Sequence, residues 1–600
     1  MAEKRKKPSN RMTINDLMQQ IVAFFNAAPN NQFNYKQVSH ALGLNLPAQK
    51  QKVYEVLATM AQQEFLIETS PGRFKKKDRG TRVVGTFERR SNGKNQVVTE
   101  EGEEIFVAER NSMHALNGDK VEVYVYARRR HADPEAEVTQ IIERADNSFV
   151  GVLCTERPYA FLITDSKTLA NDIFIPKNKL RGGKDGEKAV VRITEWPEHS
   201  KNPIGEVVDV LGEAGANNTE MHAILAEYGL PYVYPKAVEA AADKISDIIT
   251  PEDYAEREDF REITTFTIDP KDAKDFDDAL SIRPLKPGLW EVGVHIADVT
   301  HYVKEGSCID KEAEKRATSV YLVDRTIPML PERLCNLLCS LRPNEEKLAY
   351  SAIFEMNDKA EVKNSRIVKT VINSDRRFTY EEAQAIIETG EGEFKDEILK
   401  LNELAQILRK NRMAAGAVDF DRVEVRFEID EKGKPLSVYF KESKDANKLI
   451  EEFMLLANRT VAAHIGCPKS NGGKLKTFVY RIHDVPDPEK LANLSQFISR
   501  FGYKVKIQGK NEEVSASINS LLDQVQGKKE QNLIETIAIR SMAKAIYSTD
   551  NVGHYGLAFD YYTHFTSPIR RYPDMMVHRL LDRYASGGNS ADKGKFEDLC

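Results

Sequence analysis

Thr267-Ile-Asp-Pro-Lys-Asp-Ala-Lys-Asp-Phe-Asp-Asp-Ala-Leu280 sets five aspartates, Asp269, Asp272, Asp275, Asp277 and Asp278, among the apolar residues Ile268, Phe276, Ala279 and Leu280. Carboxylates at that density repel one another, and partial burial raises the cost. Unpaired, they push up each other's pKa values and weaken the fold. A hard divalent cation removes the conflict, because Mg2+ takes oxygens from a few carboxylates and fills its shell with water and substrate phosphate. The stretch therefore reads as a site for metal-assisted chemistry on a phosphodiester.

Two other readings compete. A solvated acidic loop is what most aspartate clusters are, but here apolar residues interleave with the acids. A calcium loop of the EF-hand type needs Gly at its sixth position and Glu at its twelfth. Counted from Asp269 those positions hold Lys274 and Leu280, and from Asp275 they hold Leu280 and Lys286, so neither register fits.

The chain of 600 residues is long enough for roughly four domains. With 30% charged and 41% hydrophobic residues it has the composition of a soluble globular protein. No run of about 18 apolar residues occurs, so no membrane span is expected. The basic start MAEKRKKPSN is not followed by an apolar segment of signal-peptide character. The six cysteines, Cys154, Cys308, Cys335, Cys339, Cys467 and Cys600, are sparse and form no CxxC pair. Cys335 and Cys339 lie in an apolar stretch that suits core packing better than zinc. A reduced, cytoplasmic setting is the expectation.

The net charge of -6 does not itself suggest a polyanion binder, but its distribution does. Residues 1–80 hold 13 lysines and arginines against 6 acids, and basic clusters recur at Arg73-Phe-Lys-Lys-Lys-Asp-Arg79 and Arg128-Arg-Arg130. Local basic patches are the electrostatic footprint of nucleic-acid binding, although ordinary surfaces carry them too.

Five segments follow from the pattern. Residues 1–78 read as a winged helix-turn-helix with a basic N-terminus. Ile14, Leu17, Met18, Ile21, Val22 and Phe25 recur at helical spacing after a candidate Thr13 cap. Helices over Tyr35–Leu42 and Ala48–Gln62 follow, then a hairpin at Pro71-Gly72. Its role is nucleic-acid contact or protein packing. Residues 79–142 and 143–212 form an imperfect repeat: Val84-Gly85, Ile105-Phe-Val107 and Gly118-Asp-Lys-Val-Glu-Val123 match Val150-Gly151, Asp172-Ile-Phe-Ile-Pro176 and Gly186-Glu-Lys-Ala-Val-Val191. Two five-stranded barrels of the OB or cold-shock type explain it. Tyr159 and Phe161 alternate on one strand, so they share a face and either stack bases or fill the barrel core. Residues 213–254 read as a helical connector. Residues 255–600 read as one large α+β domain, with a β run at Glu291–Val299 and helices at Leu449–His464, Glu535–Tyr547 and Asp574–Tyr584.

Six motifs then carry a family resemblance. TIDPKDAKDFDDALS from Thr267, VHIADV from Val294, SVYLVDRTIPMLP from Ser319, IEEFMLLAN from Ile450, YRIHDVPD from Tyr480 and HFTSPIRRYPD from His564 resemble, in order, those of the ribonuclease II/R exoribonucleases with their RNB catalytic domain. A winged helix followed by two cold-shock barrels is similar to the ribonuclease R branch. Members of that family carry a further C-terminal OB-type RNA-binding domain and often a lysine-rich tail, which residues 255–600 do not include.

The resemblance implies roles. Asp269 and Asp278 match direct Mg2+ ligands, Asp275 a supporting carboxylate and Asp277 the central catalytic aspartate; all four count as candidate metal-binding residues and Asp275 also as a catalytic one, with one or two ions allowed. Asp272 has no assigned role. Arg570 matches a catalytic arginine, a guanidinium suited to a phosphorane-like transition state, whereas Arg571 reads as the lesser candidate. Tyr321 matches a clamp on the terminal nucleotide, Phe420 a stacking partner on its other side, and Glu452, with Glu451 as alternative, an acid near the terminal base. His295, His483, His564 and His578 are expected to be hydrogen-bonded structural or RNA-contacting residues rather than metal ligands.

The implied function is a processive 3′-to-5′ hydrolytic exoribonuclease acting on single-stranded RNA, with structured RNA as a further candidate substrate. It would release nucleoside 5′-monophosphates by Mg-assisted attack of water on the last phosphodiester. A monomer without membrane contact is expected; association with a ribosome or helicase is left open. The competing readings are a catalytically silent RNA-binding protein and a ribonuclease II-like processing nuclease. The first is disfavoured because Asp269, Asp275, Asp277, Asp278 and Arg570 are all present.

Overall fold

The protein is described from a computed structural model. It describes residues 14–27, 31–62, 65–76, 81–90, 94–126, 134–145, 148–156, 158–166, 169, 171–197, 200–419, 424–430, 433–468 and 475–600. Thr13, Arg128-Arg-Arg130 and Phe420 lie outside the described residues, as does most of the N-terminal basic segment. The chain divides into two compact units, 1–228 and 229–600.

The first unit opens with helices Ile14–Ala27, Tyr35–Ala41 and Pro47–Gln62 and a three-stranded sheet of Phe33–Asn34, Leu66–Ser70 and Arg73–Lys76. Leu17, Ile21 and Phe25 bury one stripe of the first helix against Val53, Val56, Leu57 and Met60 of the third. The second helix starts at a reciprocal cap, in which Asn34 Oδ1 accepts the Gln37 amide and Gln37 Oε1 accepts that of Asn34, both at 2.9 Å. Three helices and a hairpin are the elements that a winged helix-turn-helix contains.

Two closed five-stranded barrels follow. The first uses Thr81–Glu88, Lys94–Thr99, Glu104–Ala108, Lys120–Val125 and Glu135–Glu143; the second uses Ser148–Glu156, Tyr159–Thr164, Ile173–Pro176, Glu187–Glu195 and Ile204–Glu213. Both close the same way, with the third strand parallel to the fifth. The repeated Val-Gly pairs have a steric reason. A Cβ on Gly85 would sit 2.5 Å from the Val98 carbonyl oxygen, and one on Gly151 would sit 2.2 Å from that of Ile163. Only glycine lets the first strand of each barrel coil so tightly. The barrels share apolar surface: Leu116 of the first joins the core of the second, and the His114 ring stacks on Trp196 at 4.5 Å.

The segment expected as a single connector is divided. Helix Asn217–Glu227 packs Ala223 against Val150 and Val190 of the second barrel, and Glu220 pairs with Lys188 at 2.6 Å. Beyond Tyr228 the chain belongs to the second unit.

The second unit is built on a seven-stranded sheet. Its spatial order is Glu258–Asp259, Val362–Asn373, Glu346–Asn357, Leu289–Ala297, Asp278–Lys286, Thr265–Asp269 and Arg376–Thr379. The outermost pairs are parallel and the inner ones antiparallel. Helix Asp445–Gly466 lies across the central strands, its buried side carrying Leu449, Phe453, Leu456 and Val461. Cys335 and Cys339 are buried in the same core. Helices Pro488–Ser499, Asn511–Val525 and Gln531–Ser541 enclose a smaller core of their own.

One helix expectation is corrected. The helix read over Glu535–Tyr547 ends at Ser541, and Ile546–Ser548 instead pairs as a strand with Tyr480–Ile482. Its apolar run has the composition of either element, and the cross-strand partner decides.

Candidate active site

The sheet ends at the acidic stretch. Asp269 closes strand Thr265–Asp269, Asp278 opens strand Asp278–Lys286, and residues 270–277 cross between them without regular structure. The crossing is tied down from outside. The hydroxyl of Ser340 donates to the Lys274 carbonyl at 2.8 Å and accepts the Phe276 amide at 3.0 Å. The Leu341 amide donates to the Phe276 carbonyl at 3.0 Å, and the Ala297 amide donates to that of Asp277 at 2.9 Å. Arg377 Nη2 donates to the Pro270 carbonyl.

These ties concentrate negative charge. Asp269 and Asp277 are buried, Asp275 and Asp278 half-buried and Asp272 exposed. Burial pushes Asp269 up to about 7, against the pull of the nearby Thr267 hydroxyl and the Arg377 charge, with Asp277 and Asp275 adding repulsion. Burial and then the charge of Asp269 push Asp278 up to about 7. Asp275 and Asp277 are also raised by burial, against the pull of Arg570.

Asp277 is committed on both oxygens. Oδ1 accepts the Ile569 amide at 2.9 Å, and Oδ2 stands 3.5 Å from Arg570 Nε. Asp269 is the opposite case, since its buried Oδ2 has no hydrogen-bond partner. An acceptor left bare at such a charge density is what a hard cation satisfies. Among the described residues no three His, Cys, Asp or Glu side chains cluster tightly enough to hold an ion by themselves. The bare Asp269 oxygen beside Asp278 fits a hard divalent cation, which takes a few carboxylate oxygens and completes its shell with water and phosphate.

The two neighbouring arginines differ in their freedom. Arg571 is spent on a buried pair, its Nε and Nη2 each 2.8 Å from Asp574, whose Oδ1 also accepts the Ser567 amide. Arg570 keeps 44% of its side chain exposed and bonds to Ser567 Oγ at 2.9 Å. Its carbonyl is held by the Ser319 amide and the Thr318 hydroxyl, both at 3.0 Å. This ties the arginine loop to the strand that carries Tyr321. Tyr321 is 56% exposed, and Asp275, Arg570 and Asp277 all act on its phenol.

Glu452 stands apart from this group. It is buried, and its carboxylate is gripped by Arg412, with Nη2 at 2.5 Å and Nε at 3.2 Å. Glu451 keeps 46% of its side chain exposed and touches Arg412 through one oxygen at 3.1 Å. The accessible carboxylate at this position is therefore the alternative, Glu451, because the grip of Arg412 occupies the other. Phe420 lies outside the described residues.

The three motif histidines, and His578 just past the last motif, are hydrogen-bonded within the protein. His295 bridges Ser281 and Ser351, His483 bonds the Ala543 carbonyl, His564 bonds Tyr547, and His578 bonds the Phe565 carbonyl. In the second barrel, Tyr159 and Phe161 point away from the core, which Ala160 and Leu162 fill. Phe174 joins them from the next strand, its ring 5.6 and 5.7 Å from theirs. The sequence reading missed Phe174, Arg377 and Ser340. Phe174 was legible as the neighbour of Phe161 once the repeat was aligned, whereas nothing local marks the other two.

The RNB domain family model matches residues 257–587, and a cold shock domain model matches residues 161–235. Ribonuclease R of Thermotoga maritima is 37% identical over 548 residues, covering 89% of this chain and 75% of that protein. The chain belongs to the ribonuclease R family. Ribonuclease R of Aquifex aeolicus is 35% identical, covering 92% of this chain and 78% of its own. Among solved structures, Mycoplasma genitalium RNase R in complex with ribose-methylated single-stranded RNA superposes with a TM-score of 0.78 at 25% identity, covering 86% of this chain and 81% of that one. Membership of the ribonuclease R family makes the protein an exoribonuclease of the 3′-to-5′ class.

Proposed function

We propose that this ribonuclease R family member degrades single-stranded RNA processively, hydrolysing the last phosphodiester with Mg2+ and releasing nucleoside 5′-monophosphates. The observation that carries the reading is the juxtaposition of the bare Asp269 Oδ2 with the Asp277–Arg570 pair. In that arrangement Asp269 and Asp278 would hold the cation, with Asp275 in support. A bound divalent ion supplies Lewis-acid polarisation of the phosphate and activation of water. Arg570, tethered by its carbonyl yet half exposed at its guanidinium, directs donors at the equatorial oxygens where charge grows in the transition state. Asp277 holds the Ile569–Arg570 backbone in place and balances the guanidinium when no substrate is bound.

Binding at the 3′ end would be shared by Tyr321, Phe420 and Glu451. On the second barrel, Tyr159, Phe161 and Phe174 offer single-stranded RNA a stacking face without base preference, and contacts to ribose 2′-hydroxyls would set RNA apart from DNA. Among the described residues no helix is long and apolar enough to cross a membrane, and all six cysteines are free thiols, which suits the reducing cytoplasm.

The test is a gel time course on 5′-labelled single-stranded RNA with Mg2+, comparing the native chain with Asp277→Asn. Conversion of full-length RNA to a very short labelled product by the native chain, and at least about 10²-fold slower conversion by the variant, is expected. Discrete internal fragments would overturn the exonucleolytic reading. Binding without cleavage by the native chain would overturn hydrolysis.

A further inference from the structure

The acidic crossing 270–277 has no strand ladder of its own, so its buried backbone groups must find partners elsewhere. One side chain serves both sides of Asp275: Ser340 Oγ donates to the carbonyl before it and accepts the amide after it, at 2.8 and 3.0 Å. A hydroxyl can do both at once, because it carries one proton and free lone pairs. Ser340 is fully buried, so no water substitutes for it. It lies two residues past the π-helical turn Arg333–Leu338, where the Cys339 amide bonds the Leu334 carbonyl five residues back at 3.0 Å. Such widened turns recur at functional sites, where they re-aim the residues around them. Leu341 adds its amide to the Phe276 carbonyl, so two consecutive residues hold the segment between Asp275 and Asp277.

We propose that Ser340 is a positioning residue for the metal site: by pinning Lys274 and Phe276 it sets the reach of Asp275 toward the cation. The proposal rests on the reading of this stretch as the cation site. Ser340 touches neither RNA nor ion, so its effect is on metal affinity first and on turnover only through metal occupancy.

The experiment measures Mn2+ binding to the full chain by electron paramagnetic resonance of free Mn2+, with a 2′-O-methylated oligonucleotide present. Ser340→Ala, Ser340→Cys and Asp275→Asn are compared with the native chain. The cysteine keeps the volume but is a poor donor and acceptor. Both serine variants are expected to bind Mn2+ about tenfold more weakly, the lower end of what lost supporting hydrogen bonds cost a metal site. They should regain most of their turnover at raised Mg2+. Mn2+ affinity within twofold of native in either folded serine variant overturns the proposal, provided Asp275→Asn does weaken binding. If Asp275→Asn leaves Mn2+ binding unaltered, the metal reading of the loop fails instead. If neither serine variant folds, Ser340 serves the fold and not the site, and the proposal falls.

Discussion

Arg570 Nε stands 3.5 Å from Oδ2 of Asp277, whose Oδ1 accepts the amide of Ile569 at 2.9 Å. One carboxylate thus balances the guanidinium and braces the backbone that presents it. Asp277→Asn keeps the shape and one acceptor but removes the charge. Its turnover is expected to fall by about 10²–10³-fold, the loss typical of a preorganised electrostatic partner. RNA binding, followed by fluorescence anisotropy, should stay near native.

Arg570 and Arg571 should separate into an activity effect and a stability effect. Arg570→Lys loses directed donors and is expected to lose about 10²-fold in single-turnover rate with little change in melting temperature. Arg571→Ala strands the buried carboxylate of Asp574 and should cost about 3–5 kcal/mol in denaturant unfolding.

Removal of divalent ions should expose the strain in the carboxylate set. Asp269 and Asp278 have folded pKa values of about 7, above the ordinary value of 3.8. The folded state therefore binds protons more tightly than the unfolded chain. Their contribution to stability is fully present below about pH 4 and is lost as pH rises through about 7. In EDTA, the native chain should lose more melting temperature between pH 4 and 7 than Asp278→Asn does. Added Mg2+ should raise the melting temperature more at pH 8 than at pH 5. Parallel profiles for the two proteins would refute the assignment of strain to this pair.

Buried Asp298 should give the opposite pH signature. It pairs with Arg257 at 2.6 Å, side chains 0% and 4% exposed. Although burial opposes ionisation, the attraction of Arg257 prevails and holds its pKa down to about 2. A depressed folded pKa adds stability that is present above about pH 4 and lost as pH falls through about 2. Arg257→Ala should destabilise by about 3–5 kcal/mol at pH 7, read from urea unfolding.

The two glutamates offer a clean contrast. Glu452→Gln breaks the grip of Arg412 and should lower the melting temperature. Glu451→Gln should leave the melting temperature near native and raise KM for short oligoribonucleotides. The reverse pattern would return the substrate-contacting role to Glu452.

Phe161→Ala and Phe174→Ala should each weaken binding of long single-stranded RNA by about 1–3 kcal/mol. The maximal rate on oligonucleotides of a few residues should be untouched. Equal losses on long and short substrates would place the aromatic face outside the RNA path.

Much of the fold was legible because it rests on local pattern. Helical spacing from Ile14 to Phe25, the doubled Val-Gly signature and the β run at Glu291–Val299 each report a face that must be buried. The helix over Glu535–Tyr547 was misread because an apolar run of that length suits a strand as well, and its partner Tyr480–Ile482 lies far away in sequence. The connector divided at Tyr228 because Ala223 and Glu220 found partners on the second barrel, which no local feature announces.

The sequence by itself determined that five acids would be crowded among apolar residues, that a cation would be wanted there, and that two like barrels would precede the site. Those conclusions follow from charge density and periodicity, which are properties of neighbours along the chain. Only the tertiary structure decided which oxygens are spent and which stay free. Asp277 meets Ile569 across 292 residues, and Ser340 reaches back 64 residues to the Phe276 amide. Arg412 takes Glu452 and leaves Glu451 accessible, while Asp574 takes Arg571 and leaves Arg570 half exposed. Each is a choice between adjacent residues of the same type. Hydrogen bonds of about 3 Å make that choice, because the charge buried away from water needs a protein partner, whereas its exposed neighbour is satisfied by solvent.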